Sequence, residues 1–281
     1  MFLEPWRLVM NAAHAGALFL LLLCGSDVPA AEATVAPPML EPIFRLKAEG
    51  VIQRFVTSNE LAVAKAKPAV EGIAFLAVCT NEWLPGLVPI FAIEKTNRWE
   101  LRRLPPRGQE NGADPFFFAL PPEDEPQAAN IAGRWRVDAV RGDRSQAWFA
   151  WELAVDAEGV AGRFDPNSDY RVAFINGGTF RSNQFELRVE YIMAFYTLTG
   201  NWRGGTLRGD WRHEDGSERG TWEARREPIR LPAGAGTIAL YEWRRPRDNA
   251  RRYGVEGEAL EPGWERARRP LCRVWQAPRA R

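Results

Sequence analysis

Histidine is nearly absent from this chain: there are two in 281 residues, and one of them, His14, sits in an apolar N-terminal leader. With His213 as the single imidazole beyond that leader, a histidine-based zinc cluster is excluded and no second ring exists to relay a proton. A serine triad built on His213 would lack its nucleophile elbow, because no Gly-x-Ser-x-Gly occurs. The neighbours Glu214-Asp215-Gly216 make it read as a solvated turn residue instead. Cysteine is scarce too, three in all and none in Cys-x-x-Cys spacing, so dithiol redox chemistry has no support. A phosphate-binding loop is missing. The nearest dinucleotide-like run, Gly234-Ala235-Gly236-Thr237-Ile238-Ala239, opens a strand rather than a helix, so no nucleotide cofactor is expected. Basic and acidic residues number 37 and 36, which leaves none of the cationic surplus of a nucleic-acid binder. Asp165-Pro166-Asn167-Ser168-Asp169 carries oxygens suited to calcium but lacks the glycine and terminal glutamate of an EF-hand loop. It reads as an Asx-type turn, and no metal is expected.

The longest apolar run, Ala15–Leu23, is shorter than the roughly 20 residues of a membrane-spanning helix. It follows Arg7 and precedes small-residue sites at Val28-Pro29-Ala30 and Ala31-Glu32-Ala33, so residues 1–33 read as an export signal. Lipidation at Cys24 would want a small residue ahead of it, and Leu23 is not one. The expected location is therefore periplasmic or extracellular, without a transmembrane anchor. Two cysteines remain after cleavage, Cys79 and Cys272. In an exported chain that even count predicts a disulfide.

What is present is repetition. Pro42-Ile43-Phe44-Arg45-Leu46 returns as Pro89-Ile90-Phe91-Ala92-Ile93 and, more loosely, as Ile238-Ala239-Leu240-Tyr241-Glu242-Trp243. Each copy alternates as a strand does, and each is followed by an Arg-aromatic pair: Arg54-Phe55, Arg98-Trp99 and Arg252-Tyr253. The first copy closes on Glu71–Cys79 and the last on Pro270–Trp275, and Phe116–Leu120 supplies the same for the second. Units of this size cannot bury a core alone and must pack on their siblings. Glu60–Lys67 reads as one short helix, capped by Ser58 or Asn59 and ended by Pro68.

The texture changes between copies two and three. From Ile131 to Arg226, turn signals such as Asn176-Gly177-Gly178 and Arg203-Gly204-Gly205 separate about eight alternating segments. Phe149, Trp151, Leu153 and Val155 share one face, as do Phe185, Leu187, Val189 and Tyr191. This predicts an antiparallel meander that closes into a barrel. Gly-x-Trp occurs at Gly133–Trp135, Gly200–Trp202, Gly209–Trp211 and Gly220–Trp222, where an indole can cover the space beside a residue with no side chain. So many rings favour a filled interior over a ligand cavity. The fold expected is thus all-β: a repeat domain over residues 34–126 and 228–281, with a meander barrel inserted at 127–227.

Ile43-Phe44-Arg45-Leu46, Gln53-Arg54-Phe55-Val56-Thr57-Ser58 with Glu60, and Glu71-Gly72-Ile73-Ala74-Phe75 together resemble the DUF5648 family of secreted bacterial repeats, over residues 42–93 and, more loosely, 238–275. The resemblance implies an accessory binding module of the kind found beside hydrolase domains. The family's histidine position carries Arg54 here, with Arg98 and Arg252 in the later copies, so a ligand contact made by that histidine does not carry over. Three copies suggest a three-fold arrangement such as a β-trefoil. The central part resembles lipocalin- and avidin-type barrels in architecture alone.

Candidate binding residues follow from planar groups beside forked donors: Trp243, Arg244, Arg252, Tyr253 and Arg54, which can stack on sugars or pair with carboxylates. The commoner use of such rings is a repeat core with arginine stems over it. Asp165, Asp169, Glu186 and Glu190 are the carboxylates a hydrolase would need, but Glu186-Leu187-Arg188-Val189-Glu190 reads as a surface charge ladder. The sequence therefore predicts a non-catalytic exported protein that binds a glycan or other polar ligand. The alternatives are a structural or protein-interaction module of an envelope assembly and, further off, a carboxylate-dependent hydrolase.

Overall fold

The computed structural model describes residues 38–46, 53–64, 69–95, 98–106, 113–142, 146–157, 159–164, 173–191, 194–226, 231–232 and 236–278. The expected export signal lies outside them, as do Asp165 and Asp169. The first unit comprises β1 (Leu40–Leu46), β2 (Phe55–Thr57), helix α1 (Ser58–Val63) and β3 (Val70–Val78). The second comprises β4 (Val88–Lys95), β5 (Arg98–Arg102) and β6 (Phe117–Ala119). After helix α2 (Pro126–Ile131) come eight consecutive strands: β7 (Gly133–Arg141), β8 (Gln146–Val155), β9 (Val160–Phe164), β10 (Ala173–Arg181), β11 (Gln184–Tyr191), β12 (Ala194–Arg203), β13 (Thr206–His213) and β14 (Arg219–Arg225). The third unit is β15 (Thr237–Arg245), β16 (Ala250–Val255), the short β17 (Glu265–Arg266) and β18 (Cys272–Trp275).

The repeat in the sequence is a repeat in the pairing. Each long strand carries one copy of the recurring phrase and pairs antiparallel with the second and closing strands of its own unit: β2–β1–β3, β5–β4–β6 and β16–β15–β18. The closing segments then join one another in a ring, through Leu76 opposite Trp275, Val78 opposite Phe118, and Leu120 opposite Arg273. The aromatic of each Arg-aromatic pair turns inward. Phe55, Trp99 and Tyr253 are all buried, with ring centroids 5.7 Å apart for Phe55–Trp99 and 6.2 Å for Trp99–Tyr253. Each unit thus contributes one ring to a shared centre, which no unit could bury by itself.

Helix α1 starts two residues earlier than its composition suggests and ends at Val63 rather than Lys67. Its cap is Thr57 rather than Ser58 or Asn59: the Thr57 hydroxyl accepts from the Glu60 amide at 3.2 Å and the Glu60 carboxylate accepts from the Thr57 amide at 2.8 Å. This reciprocal pair satisfies two N-terminal donors at once.

The inserted strands form a closed eight-stranded barrel in meander order, sealed by β14 on β7 and by β9 on β10. Its inside is packed with rings: Trp151 stands 5.2 Å from Trp222, and Phe185 stands 5.0 Å from Trp222 at a near-perpendicular angle. Such pairs contribute about 0.5–1.5 kcal/mol each beyond the area they bury. Two of the Gly-x-Trp indoles, Trp222 and Trp211, cover glycines, but across strands rather than along one. Trp222 pairs with Gly209, which pairs with Gly200, and its ring would lie 2.6 Å from a Cβ placed at Gly200; Trp211 likewise crowds Gly220.

Strand β8 is buried on both faces. Phe149, Trp151 and Leu153 point into the barrel, while Ala154 on the other face joins Trp83, Leu87, Phe91, Phe118 and Trp275 of the repeat body in one cluster. Gly133 permits the close approach of the segment before β4. A Cβ there would come 2.4 Å from the Leu84 carbonyl oxygen, and its φ of +105° favours glycine as well.

The expected disulfide does not form: Cys79 and Cys272 are both free thiols. The register of Leu76 on Trp275, if continued, would set Cys79 opposite Cys272. The ladder stops there because Leu120 takes the place beside β18, exchanging both backbone hydrogen bonds with Arg273 at 2.9 and 2.8 Å. Cys79 is left past the end of β3, on the far side of that intrusion.

Candidate functional site

In all three units the arginine ahead of the central aromatic faces one position on the long strand. Arg54 faces Leu46 through a 3.0 Å backbone bond, Arg98 faces Lys95, and Arg252 faces Trp243. Only the third unit therefore places an indole there. Beside it, at the seam between the first and third units, lies a cleft of about 530 Å³. Arg45, Gln53 and Glu71 line it from the first unit; Trp243, Arg252, Glu258 and Glu261 line it from the third.

Local backbone chemistry sets this up. Gly254 has no side chain, and a Cβ there would meet the Trp243 ring at 2.2 Å and the Glu258 carboxylate at 2.5 Å. The indole and the carboxylate lie over that gap. Trp243 is 7 % exposed, and its buried Nε1 has no hydrogen-bond partner among the described residues. The acidic wall is the segment after β16, which turns at Gly257 and Gly263, both at positive φ. It is pinned across the seam where Nη2 of Arg45 donates to both oxygens of Glu258, at 2.7 and 2.9 Å. Arg252 donates to Glu261 at 2.8 Å and lies over the Trp264 ring at 4.7 Å, with Arg245 over the same ring at 5.0 Å. Gln53 accepts the Tyr253 amide through Oε1 at 2.7 Å.

Of the residues singled out in the sequence, Trp243 and Arg252 line this cleft. Tyr253 lies beneath it in the core, 1 % exposed, its hydroxyl accepting from the Leu101 amide at 2.9 Å. Burial holds its phenol well above the ordinary range. Arg54 is exposed and pairs with Glu94 of the second unit. Arg244 is exposed, 3.7 Å from Glu242. Arg45, Gln53, Glu71, Glu258 and Glu261 escaped sequence reasoning. Arg45 and Glu258 are 213 positions apart, and only the three-fold packing brings them together.

Elsewhere, His213 Nδ1 lies 2.5 Å from Asp215 Oδ1 in the β13–β14 turn. Hydrogen bonds from Ser217, and then from His213, pull the Asp215 carboxyl down to about 2. Glu186 is exposed and Glu190 half-buried on one strand, opposite Thr199 and Phe195. No cluster of three His, Cys, Asp or Glu suited to a metal occurs among the described residues.

A second deeply buried carboxylate, after Glu100 at 0 % exposure, lies at the other seam, between barrel and repeat body. Glu152 on β8 is 4 % exposed, with Arg163 Nε 3.1 Å away. Arg163 also reaches Asp114 at 3.3 Å and covers Trp83 at 5.4 Å. Burial pushes the Glu152 carboxyl up to about 7, against the pull of Arg163 and Arg134.

Comparison with protein-family models, with curated proteins and with solved structures finds no match.

Proposed function

We propose that this chain is a non-catalytic exported binding protein whose ligand, a glycan or similarly polar molecule, sits in the cleft between the first and third units. The observation that carries this reading is an indole at one of three equivalent positions, walling a polar cleft of about 530 Å³. A flat ring edged by carboxylates, an amide and guanidinium groups can pack on the C–H face of a sugar while its hydroxyls find donors and acceptors. The arginines there are held by glutamates, which fixes their planes before a ligand arrives. The resemblance to DUF5648-type secreted repeats and the apolar leader fit a protein that works at the cell envelope.

The test is a glycan-array and cell-wall pull-down screen on residues 34–281, alongside Trp243→Ala and Arg252→Ala. Circular dichroism establishes that each variant is folded, and the half-exposed Arg252 serves if the Trp243 variant is not. Saturable binding that weakens by about tenfold or more in a folded variant is expected for a central contact. A folded wild type that retains no glycan, or variants that bind as wild type does, would overturn the reading in favour of a protein-interaction module.

A further inference from the structure

Trp243 walls the cleft but is 7 % exposed, so a sugar can stack on its ring only after something moves aside. The segment between β16 and β17 is built to move. Two turn bonds close its ends: the Glu258 amide donates to Val255 and the Trp264 amide to Glu261, both at 3.2 Å. Beyond these, residues 257–263 make no backbone hydrogen bond among the described residues. Pairing with β15 stops at Glu256, which donates to Ala239 at 2.8 Å, and resumes where Glu265 faces Arg244. Gly257 and Gly263 bound the segment at φ of +86° and +83°, each with open space where a Cβ would stand, so both can turn freely.

Every residue of that segment except Glu258 is exposed. Glu258 reaches across the seam, where its two oxygens accept from Nη2 of Arg45 at 2.7 and 2.9 Å. Its carboxylate and the six-membered ring of Trp243 stand together over Gly254. The segment's other ion pair, Glu261 with Arg252, ties it only to its own unit, and with that carboxylate 63 % exposed it holds little. The Arg45 and Glu258 side chains are 20 % and 27 % exposed, a better-shielded pair. On the reading that this cleft is the ligand site, we infer that residues 257–263 are a lid beside Trp243, hinged at the two glycines and latched shut by Arg45 and Glu258. Opening it breaks one ion pair across the seam and no bond of the β15 ladder, which places the lid at the low-stability end of the molecule. Trp264, buried under Arg245 and Arg252, anchors the end that stays.

The experiment is nitrogen-15 relaxation of residues 34–281 without ligand, on the wild type and two variants. Arg45→Met keeps an apolar stem near the Phe55 ring, and Glu258→Ala changes only the outer segment should the first variant not fold. Circular dichroism establishes the fold of each. In the wild type the segment's amides are expected to be rigid, with order parameters of about 0.8. In either variant they should fall below about 0.6, while Tyr253 and Trp264 keep their wild-type values. The indole N–H of Trp243 should then relax faster in the presence of a soluble gadolinium chelate than it does in the wild type. Segment amides that stay at about 0.8 in a folded variant, or that lie below about 0.6 in the wild type already, overturn the latch. A loosened segment that leaves the Trp243 signal shielded overturns the lid. Because no ligand is present, either result leaves the cleft reading to the glycan screen, and failure of that screen leaves the lid standing.

Discussion

At the scale of single residues, the barrel depends on glycines that neighbouring backbone and rings have closed over. A Cβ at Gly209 would lie 1.7 Å from the Thr199 carbonyl oxygen, whereas at Gly236 the nearest atom is 3.8 Å away. Gly209→Ala is therefore expected to destabilise the protein by about 2–3 kcal/mol, and Gly236→Ala by less than about 0.5 kcal/mol. The difference is read as the shift in urea midpoint between the two variants. The Gly-x-Trp phrases were visible in the sequence, but the glycines that Trp222 and Trp211 cover were not, because each sits on another strand. The same limit applies to the cleft. Trp243 and Arg252 stand out as a planar group beside a forked donor, while Glu258 and Glu261 look like ordinary loop acids until the third unit closes on the first.

At the scale of elements, β8 is where local pattern and tertiary packing part company. Its alternation of Phe149, Trp151, Leu153 and Val155 correctly gives the inward face. Nothing local says that Glu152, on the outward face, is buried, because that burial comes from docking of the repeat body. The carboxyl is raised from its ordinary 4.5 to about 7 by loss of solvent, so the neutral form is the one the folded protein prefers. Its contribution to stability is fully present below about pH 4.5 and is lost as pH rises through 7. Glu152→Gln should therefore match the wild type near pH 4, then gain relative to it as pH rises. The gain reaches roughly 3 kcal/mol above pH 7 on the linkage relation, with Asp114 still available to Arg163. Urea unfolding of both proteins across pH 4–8 reads this directly. A variant that is less stable than wild type at pH 8 would show that the Arg163 pair outweighs the burial penalty. Helix α2 was also illegible: Pro121–Gln127 has linker composition, yet the helix begins at Pro126 and buries Ala128 and Ile131.

At the scale of the whole molecule, the insertion is held to its host by a small apolar seam. Trp83, 3 % exposed, packs on Phe91 and Phe118 and lies under Arg163. Trp83→Ala should cost about 3–5 kcal/mol, as for other buried large-to-small changes. The loss is read as a lower urea midpoint than that of the wild type. The two thiols give a second global check. Burial lifts Cys79 and Cys272 to about 12 each, so neither ionises near neutral pH and alkylation should be slow until the fold opens. Mass spectrometry of unreduced residues 34–281 should then show two alkyl groups in urea and none without it. A chain that takes up no label in urea would mean that the disulfide forms after all. The repeat, the meander and the inserted order were readable because each writes a period into the sequence. The ring of closing strands was not, since its three joins rest on single residue pairs.

The central claim is that ligand enters the seam cleft and not the barrel, and the indole N–H signals of a nitrogen-15-labelled chain test it most directly. The Trp243 signal is identified by its disappearance in Trp243→Phe, and the wild type is then titrated with soluble cell-wall glycan fragments. A saturable shift of the Trp243 signal, with those of Trp151 and Trp222 unmoved, is the predicted result. Shifts confined to the barrel indoles, or none at all, would contradict it.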